Sequence, residues 1–353
     1  MRLFTCVCAC LLTFVSFASA DQRGATPSVE TEFVGTITGS LWTAPLAINN
    51  QGLVVGYAAY EVSQPGGWSS LRYEAFLWDS RSGFRIIAQD ARATDINERG
   101  DVTLVRYNCP VDEECYYARG AVWNAMTQVF TELGRMHPNA INNRGDIAGM
   151  CRITDYGGRE IYGQATACVL SQQGLQEWEC ERDDTYHFCA MWANAVNDRG
   201  DIVIERSWED EGVLAFHSST SDPQLFPLDG LFLAQGLNNS GTIVGAAIKG
   251  GRQTPAAWRK QSTGLLPGGV FGSARAVNNR GWIIGHGSEA SSSSSSPLIW
   301  TGRTEPTPLA PSGLAGAFDL NDRGQVVGLL GEWPGPYQMV VWRVRAGRGD
   351  GVR

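Results

Sequence analysis

One six-residue phrase returns seven times along this chain, and nothing else in the sequence limits the fold so tightly. It reads Ala-Ile-Asn-Asn-Gln-Gly at 47–52, Asp-Ile-Asn-Glu-Arg-Gly at 95–100, Ala-Ile-Asn-Asn-Arg-Gly at 140–145 and Ala-Val-Asn-Asp-Arg-Gly at 195–200. It continues as Gly-Leu-Asn-Asn-Ser-Gly at 236–241, Ala-Val-Asn-Asn-Arg-Gly at 276–281 and Asp-Leu-Asn-Asp-Arg-Gly at 319–324. The shared asparagines are Asn49, Asn97, Asn142, Asn197, Asn238, Asn278 and Asn321, spaced 40 to 55 residues apart. A period of that size signals a propeller or a solenoid. Asn opens a type I turn because its side chain can bond the backbone ahead. Gly at the fourth position takes the left-handed conformation of a G1 bulge without steric cost. Each phrase, followed by an apolar run such as Leu53-Val54-Val55, therefore predicts a tight hairpin. That turn chemistry accounts for the seven asparagines without a sugar- or metal-binding role.

A second phrase follows each hairpin: Ala75-Phe76-Leu77-Trp78, Ala121-Val122-Trp123, Ala256-Ala257-Trp258, Leu298-Ile299-Trp300 and Val340-Val341-Trp342. Degenerate copies stand at Cys168-Val169-Leu170 and Ala215-Phe216-His217. Further short apolar runs such as Phe84 to Ile87 complete four strands per repeat, a to d. A large apolar plate recurring at one position predicts packing between neighbouring sheets, worth a few kcal/mol each when buried. Seven four-stranded units predict an all-β, seven-bladed β-propeller of antiparallel blades. The last repeat stops at strand c, Val340 to Trp342, while Phe33-Val34-Gly35-Thr36-Ile37 reads as a strand d without its own repeat. An N-terminal strand in the last blade would close the ring and remove a free edge. The ring is preferred to an open solenoid because no atypical capping repeat is visible.

Glu-Ala-Phe-Leu-Trp at 74–78 and Ala-Ile-Asn-Asn-Arg-Gly-Asp-Ile-Ala-Gly at 140–149 resemble the HAF repeat of probable extracellular bacterial proteins. The resemblance covers about residues 40–343. It implies export and a repetitive β-fold, and no chemistry. Glu74 stands where the usual repeat carries His, and copies three and four lack the tryptophan.

The start of the chain also points outward. Met1-Arg2, an apolar Leu3 to Phe17 and Ala18-Ser19-Ala20 read as a signal peptide at 1–20. The expected organisation is then a flexible segment at 21–32, the propeller at 33–343 and a flexible tail at 344–353. Past the leader no apolar run approaches the ~20 residues of a bilayer span. Six cysteines remain: Cys109, Cys115, Cys151, Cys168, Cys180 and Cys189. An even number in an exported chain reads as disulfides, and proximity suggests 109–115, 151–168 and 180–189. No Cys/His spacing supports a metal site, and no cofactor is implied. With 43% hydrophobic residues the chain is too apolar for disorder, and a net charge of −8 disfavours nucleic-acid binding.

Where would function sit? In an up-and-down blade the a–b and c–d turns share one face, and the b–c and d–a loops share the other. Insertions at 57–74, 107–120, 151–166, 205–213 and 286–297 (b–c) and 179–193 (d–a) all fall on the second face, the usual pattern of a binding face. The ten tyrosines lie in or beside these inserts, with Asp112-Glu113-Glu114, Asp183-Asp184 and Glu209-Asp210-Glu211. Aromatic planes with polar tips suit sugars or protein contacts, which makes Trp68, Tyr73, Tyr116, Tyr117, Tyr186 and Trp208 the candidate ligand-binding residues. Arg-Gly-Asp at 99–101, 144–146 and 199–201 is a by-product of the turn, and a fourth copy stands at 348–350. His137, His187, His217 and His286 share no motif spacing, and no hydrolase, zincin or Walker motif occurs. The expectation is a secreted, monomeric binding module for an extracellular carbohydrate or protein. Its rivals are a hydrolase or lyase using acidic loop residues at the channel, and a purely structural envelope or matrix protein.

Overall fold

The computed structural model describes residues 27–63, 67, 69–107, 119–153, 165–179, 189–208, 212–289, 294–302, 305–311, 315–331 and 337–346. It contains 28 strands arranged as seven four-stranded antiparallel sheets. Ahead of the first full blade stands β1 (Ser28–Gly35). Blade 1 is β2 (Trp42–Ile48), β3 (Val54–Ser63), β4 (Ser69–Asp79) and β5 (Gly83–Gln89). Blade 2 is β6 (Ala91–Ile96), β7 (Asp101–Arg106), β8 (Arg119–Asn124) and β9 (Phe130–Gly134). Blade 3 is β10 (His137–Ile141), β11 (Ile147–Ile153), β12 (Ala165–Ser171) and β13 (Gly174–Trp178). In blade 4 the strands are β14 (Cys189–Val196), β15 (Asp201–Trp208), β16 (Gly212–Ser219) and β17 (Phe226–Pro227). Blade 5 follows with β18 (Leu233–Leu237), β19 (Ile243–Lys249), β20 (Arg252–Arg259) and β21 (Ser262–Leu265). Next comes blade 6, with β22 (Phe271–Val277), β23 (Ile283–Ser288), β24 (Ser296–Trp300) and β25 (Thr307–Pro308). Blade 7 supplies β26 (Ala315–Leu320), β27 (Gln325–Leu330) and β28 (Gln338–Arg345), and its fourth strand is β1.

The ring closes as the sequence predicts, with different ends. β1 pairs antiparallel with β28 from Ser28↔Arg345 to Gly35↔Met339. The strand thus begins five residues before the expected Phe33 and ends at Gly35 rather than Ile37. Residues 28–32, expected to be flexible, are paired, and β28 runs two residues past 343. Alternation explains the longer pairing, because Val29 reaches the blade 6–7 core while Glu32 turns outward to bond Arg343. The signal peptide and the tail beyond 346 lie outside the described residues.

The turn phrase folds as its chemistry dictates. The Gly of each copy sits at φ between 78° and 90°. In every copy the Asn N–H donates to the carbonyl four residues on, and the Gly N–H donates back to the Asn carbonyl. The Asn Oδ1 accepts from the main-chain N–H two and four residues ahead, as at Asn49 from Gln51 and Leu53. Strand a then carries a β-bulge in every blade, three residues before the Asn. The bulged residues Leu46, Thr94, Asn139, Asn194, Gln235, Arg275 and Phe318 all line the central channel.

The tryptophans are plates between sheets. Trp123 of blade 2 packs with Ala75 and Leu77 of blade 1, and Trp300 of blade 6 with Val244 and Ala257 of blade 5. Trp342 joins Ile284 and Ile299 of blade 6, and Trp78 joins Val327, Met339 and Val341 of blade 7. The two degenerate copies are compensated in different ways. Leu170 fills the position in blade 3, beside the Cys151–Cys168 disulfide at the blade 2–3 interface. In blade 4 the residue opposite Ile202 is the buried Ser218. There Trp178, at the end of β13, enters the blade 3–4 interface with Met191, Ile202 and Ile204 and donates its indole N–H to the Pro223 carbonyl at 2.7 Å.

Two expected inserts are not loops. Residues 57–63 and 69–74 continue a long β3–β4 hairpin, and 205–208 extend β15 opposite β16. In 57–74 the pairing Tyr57↔Ala75, Ala59↔Tyr73 continues in register from the core strands, so the insertion lengthens a ladder instead of interrupting it. Tyr57, Tyr60 and Tyr73 are therefore strand residues with fixed directions. Likewise 189–193, expected within a d–a insert, belongs to β14.

Candidate functional site

The short-turn face is closed by its own hydrogen bonds. Each Asn Nδ2 donates to the main-chain carbonyl of the corresponding Asn in the next blade, at 2.7–3.2 Å, from Asn49→Asn97 round to Asn321→Asn49. A second ring runs beside it. The main-chain N–H of Asn50, Glu98, Asn143, Asp198, Asn239, Asn279 and Asp322 each donates to the side-chain oxygen of the next member, at 2.7–3.0 Å. These rings staple all seven interfaces, including the one that joins the chain ends. Burial alone would raise the Asp198 carboxyl, but hydrogen bonds from Asn143 and Asn239 and the charge of Arg144 outweigh it and hold it below the usual range. The Arg-Gly-Asp aspartates are committed too. Arg99 pairs with Asp101 at 2.8 Å, Arg144 with Asp146 and Arg199 with Asp201. Asn97, Asn142 and Asn197 donate to the same three carboxylates. The copy at 348–350 lies outside the described residues.

The channel has two halves that meet at Asp95 and Asp319. The half inside the asparagine rings holds about 200 Å³. The half toward the b–c and d–a connections holds about 540 Å³ and is lined by the seven bulged residues with Trp192, Glu205, Asp95 and Asp319. Asp95 Oδ2 accepts the Ile141 N–H of blade 3 at 2.8 Å, and Asp319 Oδ2 accepts the Ile48 N–H of blade 1 at 2.8 Å. Both carboxyls border the channel space yet lie deep within the ring. Burial pushes Asp95 up to about 7, against the pull of the Ile141 N–H, and the charge of Asp319 adds to the rise. Burial likewise lifts Asp319 to about 6, opposed by the Ile48 and Leu320 N–H groups and by Arg275. Glu205 is spent on structure, accepting from the Trp192 indole at 2.9 Å and the Ala234 N–H at 2.7 Å. Among the described residues no group of three or more His, Cys, Asp or Glu could hold a metal ion.

Between blades 1 and 2, starting two residues before the channel-lining Thr94 of β6, stands a cationic aromatic cluster. The Tyr57 and Tyr73 rings meet edge to face at 5.5 Å, and Tyr73 meets Tyr107 at 5.6 Å. The Arg92 guanidinium lies 3.7 Å from the Tyr73 centroid, 4.7 Å from Tyr57 and 5.5 Å from Tyr107. Beside it in blade 3, burial lowers the His137 imidazole; the nearby Asn139 side chain opposes this, and the charge of Arg92 adds to it. On the other face of the β3–β4 hairpin, Glu74 pairs with Arg72 at 3.0 Å, and Arg72 lies 5.4 Å from the Tyr60 centroid. The Glu74 carboxylate is thus neutralised locally.

Of the six candidate ligand residues, Tyr73 is placed, and it joins this cluster. Trp68, Tyr116, Tyr117 and Tyr186 lie outside the described residues, as does the side chain of Trp208, whose backbone ends β15. Cys151 and Cys168 form the disulfide expected from proximity. Cys109, Cys115, Cys180 and the Cys189 side chain lie outside the described residues. Three elements were missed from sequence: the two rings, Arg92, and the channel carboxylates. The rings had a signal. A turn alone accepts Asp at its first position, whereas all seven copies carry Asn, which also has an N–H₂ to give; the next residue is always Asn, Asp or Glu, each an acceptor.

Seven blades, a bulge-lined channel and closure by the N-terminal strand define a β-propeller. The β-propeller domain of the trilobed protease from Pyrococcus furiosus superposes with a TM-score of 0.60 at 13% identity, covering 88% of this chain and 96% of that one. That domain is described as having an open velcro topology, whereas here β1 is hydrogen-bonded to β28. Acylaminoacyl peptidase from Pyrococcus horikoshii gives 0.60 at 12%, over 88% of this chain and 53% of that one. A prolyl endopeptidase structure gives 0.59 at 12%, over 87% and 51%. The chain therefore spans about half the length of these two peptidases, and at such identity the likeness concerns the fold. No protein-family profile and no curated protein matches the chain in sequence.

Proposed function

We propose that the chain is a secreted binding propeller, of the HAF repeat kind, that takes an extracellular carbohydrate or protein on the face carrying the b–c and d–a connections. One observation carries this reading. On the short-turn face the repeated polar groups bond one another in two closed rings, while the outer channel half, and Tyr57, Tyr73 and Arg92 between blades 1 and 2, present polar and aromatic groups without such closure. Ligand recognition needs groups not already consumed by the fold. The leader at 1–20 and the Cys151–Cys168 disulfide favour an oxidising, exported setting.

The test is an array of glycans and secreted proteins probed with the oxidised chain, followed by variants. Binding abolished by Tyr73→Ala together with Trp68→Ala, and kept by Arg81→Ala in the exposed c–d turn of blade 1, supports the loop face. Full binding by the double variant overturns it.

A hydrolase or lyase at the channel is the second reading, and Asp95 and Asp319 are the observation behind it. Two carboxyls with raised and unequal proton affinity suit acid–base work. Against it, Asp95 already accepts the Ile96 and Ile141 N–H groups on its two oxygens. Cleavage of any arrayed polysaccharide that disappears in both Asp95→Asn and Asp319→Asn would favour the enzyme.

A further inference from the structure

We propose that Arg92, flanked by Tyr57, Tyr73 and Tyr107, is a carboxylate-binding subsite, and that the sugar it takes is a uronate. The inference rests on the binding reading above and names the chemistry of its ligand.

Among the described residues Arg92 is a cation without an acid. Other arginines of the ring have acids: Arg72 pairs with Glu74, Arg99 with Asp101, Arg106 with Glu132 and Arg343 with Glu32. Arg92 pairs with no carboxylate and no other acceptor among the described residues, and its Nε is shut from solvent without a partner. Arg92 is half-buried, and its Nη nitrogens form the outer edge of the fork. A guanidinium stacked on phenol rings gains cation–π attraction, but its N–H donors stay unsatisfied.

The fold does not ask for a cation at this place. Counted from the turn Asn, the same strand-a position holds Ala44, His137, Trp192, Leu233, Ser273 and Gly316 in the other blades. An arginine that meets no acid among the described residues, in a chain of net charge −8, is instead suited to an anion supplied from outside. The planar fork matches a carboxylate in two parallel hydrogen bonds.

The surroundings select a sugar acid over an acidic peptide. The Tyr57 and Tyr73 hydroxyls bond to no described protein group, so both can serve the ring hydroxyls that a uronate carries and a Glu side chain lacks. A run of acidic residues would bring several negative charges toward a net-negative surface. A uronate brings one per ring, at the arginine.

Isothermal titration with tetragalacturonate, maltotetraose and tetraglutamate tests this on the full oxidised chain. Tetragalacturonate binds and maltotetraose does not. Arg92→Gln weakens the uronate about tenfold to a hundredfold, the loss of a charge-assisted bidentate contact. Its melting temperature equals or exceeds that of the parent, because a cation lacking acceptors has gone; an arginine serving only the fold would lower it. Should Arg92→Gln fail to fold, Arg92→Lys keeps the charge without the fork and Tyr73→Phe removes one hydroxyl, and each weakens the uronate. Undiminished uronate binding by the folded Arg92→Gln chain, or by both fallback variants, overturns the subsite, as does equal binding of tetraglutamate. Arrayed neutral glycans or proteins bound without any uronate leave the binding reading standing and sink this one. A chain that binds nothing on the array sinks both.

Discussion

Replacing one ring asparagine tests the account of how the propeller stays closed. Asn278 is the cleanest site, because no carboxylate shares its amide. Its Oδ1 accepts the Arg280 N–H at 3.1 Å and the Trp282 N–H at 2.9 Å, and its Nδ2 donates to the Asn321 carbonyl at 2.9 Å. Asn278→Ala strands one buried donor, the Trp282 N–H, and takes one of two hydrogen bonds from the Asn321 carbonyl, which keeps that of the Gly324 N–H. At about 1–3 kcal/mol for the unpartnered buried donor and about 1 kcal/mol for the lost staple bond, the loss is about 2–4 kcal/mol. The Arg280 N–H is nearer the surface and can turn to water. Equilibrium urea unfolding, followed by tryptophan fluorescence, reads this as a lower midpoint at unchanged slope. Asn278→Asp separates the turn from the staple. The carboxylate keeps both acceptor bonds but faces the Asn321 carbonyl with a second lone pair. Its folded proton affinity is therefore raised, so this variant recovers toward the parent as pH falls and the acid O–H can donate to that carbonyl. Because the ring is closed, Asn321→Ala, which takes the staple bond from the Asn49 carbonyl and leaves it that of the Gly52 N–H, costs at least as much as Asn278→Ala. A cost below about 1 kcal/mol for Asn278→Ala, or an Asn278→Asp deficit indifferent to pH, would refute the staple.

Four further outcomes are expected. Removing residues up to Gly35 deletes the strand paired with β28 and bares an edge; light scattering shows association and calorimetry a lower, broader transition. Trp178→Ala removes the plate that serves the blade 3–4 interface in place of a strand-c tryptophan and costs about 3–5 kcal/mol by chemical unfolding. Reduction, or Cys151→Ser with Cys168→Ser, opens a 17-residue separation and costs about 3 kcal/mol, while mass mapping of the non-reduced digest finds the 151–168 peptide pair. Stability falls as pH rises from about 4 to about 7, because Asp95, at about 7, holds its proton in the folded ring when the unfolded chain has released it; Asp95→Asn flattens that decline in unfolding free energy measured against pH. Asp201 has the opposite sign: the His217 imidazole 3.9 Å away, then the hydrogen bonds from Asn197 and Arg199, hold it well below the usual range, and the stability it contributes is lost as pH drops beneath about 4.

Much of the site escaped the sequence for reasons particular to each residue. Tyr73 was singled out because aromatic residues gathered in an insert, yet it acts from a strand, since the insert lengthens a hairpin in register. Arg92 sits inside an apolar strand with no motif about it. Its meaning comes from three tyrosines in two blades and from the absence of an acid among the described residues, which only proximity in space reveals. Asp95 and Asp319 looked like the first letters of a turn phrase. Their raised proton affinity follows from facing a channel that exists only when seven blades surround it.

By itself the sequence determined what is local and repeated: the Asn-x-x-Gly turn, the left-handed glycine, the four strands of each unit and hence the number of blades. Such features depend on dihedral preferences and side-chain reach within a few residues, so each copy spells them out. Tertiary structure alone decided what each asparagine amide meets 40 to 55 residues away, which residue replaces a missing tryptophan, and which aromatic rings surround Arg92. Those outcomes depend on which surfaces the closed ring brings face to face, and no local preference encodes them.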